Sequence, residues 1–90
     1  MGTYLVERYL PGIGHAGLLA LADRLKIASA DLQADGIEVR YLGSLFLPEE
    51  EACFCRLEAP TSEEVKWLNE RANAPYARIS TAVVVGAGSG

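Results

Sequence analysis

A single α+β domain with the element order β-α-β-β-α-β is predicted from three observations. Two stretches carry apolar residues at helical spacing. Four others are short and rich in β-branched and aromatic residues. Proline, glycine or charged turn residues separate them all.

Thr3 to Leu10 (TYLVERYL) reads as the first strand. Tyr4, Val6 and Arg8 fall on one face and Leu5, Glu7 and Tyr9 on the other. Both faces are mixed, so alternation alone does not choose the buried one. Pro11-Gly12 ends the strand. A helix follows from about Ala16 to Ala34, with the stripe Leu18, Leu21, Ala22, Leu25, Ala28 and Leu32. Asp35-Gly36 stops it, Gly36 being suited to a left-handed C-terminal position.

Ile37 to Leu47 is the second strand, and Gly43 inside it signals a bulge or a close backbone approach. Pro48 to Glu51 is a charged hairpin loop. Ala52 to Glu58 is the third strand, with Cys53, Cys55 and Leu57 on one face and Phe54, Arg56 and Glu58 on the other. Thr61-Ser62-Glu63-Glu64 matches a capping box. The helix it starts has the stripe Val65, Leu68 and Ala72, with Trp67 off that stripe, where it is expected to extend the core edge rather than to meet a partner. Asn73-Ala74-Pro75 ends that helix, and Arg78 to Val85 is the fourth strand. Residues 1–85 make the domain. Gly86 to Gly90 is a Gly/Ser-rich tail, read as a flexible linker.

This order is the ferredoxin-like arrangement, two split βαβ units with right-handed crossovers. Both helices are expected on one face of a four-stranded antiparallel sheet. Leu5, Leu42, Phe46 and Phe54 are expected to project from the other. An open apolar face of this kind marks an interface, so a homodimer is expected.

The chain has 90 residues, half of them apolar, and a formal net charge of −4. A domain this small buries only roughly 60% of its surface, which leaves apolar area for a second subunit. The acidic balance argues against nucleic acid as a partner, because a phosphate footprint needs clustered Lys and Arg. No apolar run approaches the roughly 20 residues of a membrane span. No signal peptide precedes the first strand, so the expected location is cytoplasmic. Cys53 and Cys55 lie two apart on one strand face, roughly 6.5–7 Å between Cα atoms, at or beyond disulfide reach. They read as free thiols in a reducing compartment.

Three segments carry a resemblance: LVERYLPG, GIEVRYLGSLFLPEEEACFCRLEAP and SEEVKWLNERANAPYARI. Together they resemble a family of small bacterial proteins best known for nickel-binding members, from about Tyr4 to Val85. The resemblance implies a dimeric ferredoxin-like fold and names nickel as the first cofactor to consider. It also implies a histidine in the second strand and another in the second helix of some members. The matching positions here are Gly43 and Leu68.

Three chemistries can be weighed from the residues. A transition metal favours imidazole and thiolate, which leaves His15, Cys53 and Cys55 as metal candidates. The plain structural reading is a surface His15 and two core thiols. The open sheet face groups Glu7, Tyr9, Arg40, Ser44 and Arg56, with Glu7 beside Arg56, as a site for a small polar or anionic ligand. The same groups would equally fix the register of a dimer. Nucleophilic catalysis needs a base beside a thiol, and no motif places His15 there. The leading expectation is a small dimeric binding module for a metal or a small ligand. The alternatives are a small-molecule enzyme with a cavity in the dimer and a purely structural interaction protein.

Overall fold

The computed structural model describes residues 1–86. Most of the predicted tail therefore lies outside the described residues. The elements are β1 (Gly2–Tyr9), α1 (His15–Ala34), β2 (Arg40–Leu47), β3 (Ala52–Ala59), α2 (Ser62–Arg71) and β4 (Arg78–Ala82). The four strands form one antiparallel sheet in the order β2-β3-β1-β4. This is the ferredoxin-like α+β fold that the element order predicts.

The two central strands carry the sheet's half of the core. Tyr4, Val6 and Arg8 of β1 and Cys53, Cys55 and Leu57 of β3 all point to the helix side and are buried. Leu21, Leu25, Ala28 and Leu32 of α1 meet them, as do Val65 and Leu68 of α2. Truncating a fully buried leucine such as Leu25 or Leu68 to alanine would cost about 2–5 kcal/mol.

Local chemistry sets the helix ends. Gly36 takes φ +81°, the left-handed conformation that stops α1. Thr61 caps α2: its hydroxyl accepts from Glu63 N, and Glu64 reaches back to Thr61 N at 2.8 Å. The helices are tied together where Arg24 Nε donates to Ala72 O at 3.1 Å. Ser29 and Gln33 of α1 both donate to Val39 O, which fixes the approach to β2.

Two elements are shorter than predicted. β2 starts at Arg40 rather than Ile37, and β4 ends at Ala82 rather than Val85. β4 is an edge strand, and Val83 to Val85 run on exposed beyond its pairing with β1.

The bulge predicted at Gly43 is present, and it corrects the predicted faces. Tyr41 pairs with Leu57 but Gly43 pairs with Arg56, so the register shifts by one residue. One extra residue sends every later side chain to the opposite face. Phe46 therefore packs against the core opposite Cys53, and Leu45 takes the open face opposite Phe54. Ser44 moves to the helix side with Phe46.

Candidate functional site

The helix layer does not fully cover β2. The N-terminal half of α1 stands away from it, leaving a cavity of about 460 Å³. Leu18 and Ala22 of α1 and Phe46 of β2 form apolar walls. Tyr41 and Ser44 of β2 and Cys53 of β3 bring polar atoms to it. His15 and Lys26 line it as well. None of its lining side chains is acidic, although the chain as a whole is.

A file of polar side chains runs inward from this cavity. The Tyr41 hydroxyl bonds to Ser44 Oγ, and Ser44 Oγ lies 3.0 Å from Cys55 Sγ. Cys53 Sγ lies 3.9 Å from the same sulfur. Arg8 Nη2 approaches it at 3.6 Å and donates to Asn69 Oδ1 at 2.7 Å. Arg8 Nη1 donates to the carbonyls of Ala74 and Pro75 at 3.0 and 3.2 Å. Burial, first, and the neighbouring Cys55 push the Cys53 thiol up to about 11. Burial is also the main reason the Tyr41 phenol is held above its usual range.

Arg8 was not foreseen as part of a site. It is 1% exposed. Among the described residues no carboxylate lies within ion-pair distance of it, and its Nε has no partner. The signals were present: Arg8 continues the Tyr4–Val6 alternation, and Asn69 stands one helical turn beyond Val65.

The residues predicted on the open face do not gather in one place. Glu7, Tyr9, Arg40 and Arg56 do lie on that face, but Ser44 does not, for the reason given by the bulge. Glu7 stands opposite Phe54, and Arg56 stands opposite Leu5, so the expected Glu7–Arg56 pair is absent. The cation at Glu7 is instead Arg78 of β4, at 2.7 Å, and Tyr9 donates to the same carboxylate at 2.6 Å. These bonds, that from Tyr9 first, hold the Glu7 carboxyl below its usual range and lift the Tyr9 phenol. Arg40 pairs with Glu58 at 3.4 Å, opposite Thr3, four residues along the sheet from Glu7. That offset alone is about 13 Å.

The metal candidates fare differently. His15 and Cys53 line the same cavity, and Cys55 sits behind Ser44. Among the described residues no group of three or more His, Cys, Asp or Glu side chains is placed to hold a metal ion. The donors of one chain therefore do not fit nickel, which takes more ligands than this cavity offers. Glu51 has a structural role the sequence did not suggest: its carboxylate accepts from Gly12 N at 2.8 Å and ties the hairpin loop to the turn after β1.

The family model described as nickel responsive protein, SCO4226-like, matches residues 4–81. The chain belongs to that family. A crystal structure of SCO4226 from Streptomyces coelicolor A3(2) is similar in fold, with a TM-score of 0.75 and 19% sequence identity. The match covers 93% of this chain and 99% of that one. No curated protein sequence matches this SCO4226-like chain. Among the described residues no helix is long and apolar enough to cross a membrane.

Proposed function

We propose that this protein is a small-ligand binding module that works as a homodimer. The observation that carries the binding half is the cavity between α1 and β2. Its volume of about 460 Å³ lies within the range of small-molecule sites. Apolar walls with a few polar groups at one end would fix a ligand's orientation. His15 and Lys26, with no lining carboxylate, favour a ligand with an apolar body and an anionic group.

The dimer half is supported by the uncovered sheet face. Leu45 there is 75% exposed, beside Leu5 and Phe54. Both charge signs surround these apolar groups, as a surface that meets a copy of itself across a two-fold axis would need. Exposed Arg56 forms no ion pair within the described residues, which leaves it available to a carboxylate of a second copy.

Nickel is a second reading, favoured by the family's description. With too few donors in one chain, it would need His15 and carboxylates drawn together from two subunits. Native mass spectrometry of untagged protein, with nickel, with zinc and without added metal, separates the readings. A dimer that takes up no fixed ratio of nickel, and retains a small organic mass that Ala22→Trp abolishes, is the expected result. A fixed nickel ratio that His15→Ala removes would favour the second reading. A monomer at micromolar concentration would overturn the assembly.

A further inference from the structure

We propose that the cavity between α1 and β2 takes a linear medium-chain monocarboxylate, its carboxylate held by Lys26 and the Tyr41 hydroxyl. The proposal rests on the reading of this cavity as a small-ligand site and adds the ligand's class and direction.

The register of α1 against β2 orders the two ends of the cavity. Gln33 Nε2 donates to Val39 O at 2.8 Å, and Tyr41 N donates to Ser29 Oγ at 3.3 Å. Helix and strand therefore run in opposite directions, and each step back along α1 is a step forward along β2. Lys26, less than one turn before Ser29, stands at the Tyr41 end. Leu18 and His15 stand at the Phe46 end. Eleven residues separate His15 from Lys26 on α1, about 16 Å at ~1.5 Å of rise per residue. A volume of about 460 Å³ drawn out over that length is a slot. An extended acyl chain fills such a shape along its whole length, and a compact ring does not.

Charge assigns the polar end. Lys26 lines the slot and forms no ion pair among the described residues. It is the one lysine or arginine of the lining, which also holds no carboxylate. The two steps of 3.0 and 3.6 Å through Cys55 Sγ keep Ser44 Oγ within 6.6 Å of Arg8 Nη2. That cation is buried, so its field at this end is weakly screened.

Hydrogen bonding points the same way. A guanidinium donates and never accepts, so Arg8 sets the direction of the file behind Tyr41. It donates to Cys55 Sγ, beyond which lie Ser44 Oγ and then the Tyr41 oxygen. With the Cys55 thiol and the Ser44 hydroxyl each donating outward in turn, the Tyr41 O–H is left for the slot. Burial holds that phenol above its usual range, so it keeps the proton it donates. An ammonium and an O–H together suit a carboxylate. The opposite end brings Leu18 and Phe46 together with His15, which suits an apolar chain end rather than a second carboxylate.

The test is calorimetric titration of the full chain with octanoate, compared with 1-octanol and 2-naphthoate. Octanoate should bind one per chain, and Ala22→Trp, which fills the slot, should abolish that binding. Octanol has the same chain without the charge and should bind about tenfold more weakly. Lys26→Gln should weaken octanoate about tenfold and leave octanol unchanged, a split that damaged folding would not produce. Tyr41→Phe should weaken octanoate more than octanol. Equal binding of octanol and octanoate, both blocked by Ala22→Trp, would overturn the carboxylate site and leave the cavity a ligand site. Tighter binding of 2-naphthoate would overturn the linear chain. Octanoate binding that survives Ala22→Trp, or none at millimolar concentration, would overturn the proposal outright. The organic mass retained in native mass spectrometry would then decide the cavity reading by itself.

Discussion

Arg78 Nη2 lies 2.7 Å from Glu7 Oε1, where the two residues stand directly opposite each other across the β1–β4 pair. Tyr9, two residues farther along β1, donates to the other oxygen of the same carboxylate. Glu7 is thus fully engaged within its own chain and is not free to orient a ligand elsewhere on the open face. The link also fastens the short edge strand β4 at the end where the chain leaves α2.

A pH dependence follows from this arrangement. The folded Glu7 carboxyl is held below its ordinary value of 4.5, chiefly by Tyr9 and then by Arg78. The unfolded chain therefore binds this proton more readily than the folded one. The resulting stability is present above about pH 4.5 and is lost as pH falls through the lower folded value. Arg78 is 68% exposed, so solvent screening keeps the effect small. Urea midpoints measured through the acid range should fall less steeply for Glu7→Gln than for the parent. Identical slopes would mean that the carboxylate is unperturbed in solution.

Asn69 supports Arg8 from α2. Its Oδ1 accepts from the guanidinium at 2.7 Å, and its Nδ2 donates to Val65 O at 2.8 Å. Asn69→Ala removes the acceptor while the cation stays buried. Loss of a hydrogen bond to a charged group predicts a cost of about 1.5–3 kcal/mol in chemical denaturation. A cost near that of an ordinary surface substitution would show that water replaces Asn69 at the guanidinium.

Much of this fold was legible because local signals agreed with one another. The stripe from Leu21 to Leu32, the Thr61 capping box and the Gly36 stop each name their element independently. The Tyr4–Val6–Arg8 alternation holds along β1, and only the burial of its polar third member was missed. The site was less legible, because it depends on relations between elements. A bulge was visible at Gly43, but its effect on Ser44, Leu45 and Phe46 emerges only once β2 is paired with β3. The gap under α1 depends on how far the helix stands off β2, which no spacing in the sequence encodes.

Gly43 tests that dependence directly. Its φ is +139°, a region that L side chains rarely adopt, yet no atom lies within 4 Å of where a Cβ would stand. Any penalty is therefore one of backbone strain rather than crowding. Gly43→Ala should cost about 1–3 kcal/mol in urea denaturation. If the strand escapes the strain by losing its bulge, Ser44 turns away from Cys55 and Phe46 leaves the core. Amide exchange in β2 would then rise together with the stability loss. An unchanged midpoint would show that alanine is accommodated at this backbone position.

The uncovered face offers the last test. Leu45 projects from it beside Phe54, and neither helix reaches that side of the sheet. If two copies close over this face, Leu45→Glu places a carboxylate in an apolar contact on both sides of the two-fold axis, so each dimer suffers the change twice. Sedimentation equilibrium should then show a dimer for the parent and a monomer for the variant at the same concentration. The isolated subunit should change little, since Leu45 is 75% exposed and contributes little to its own core. Retained secondary structure with lost association is the expected pair of results. A variant that remains dimeric would place the interface elsewhere, with the exposed edge of β4 as the next surface to probe.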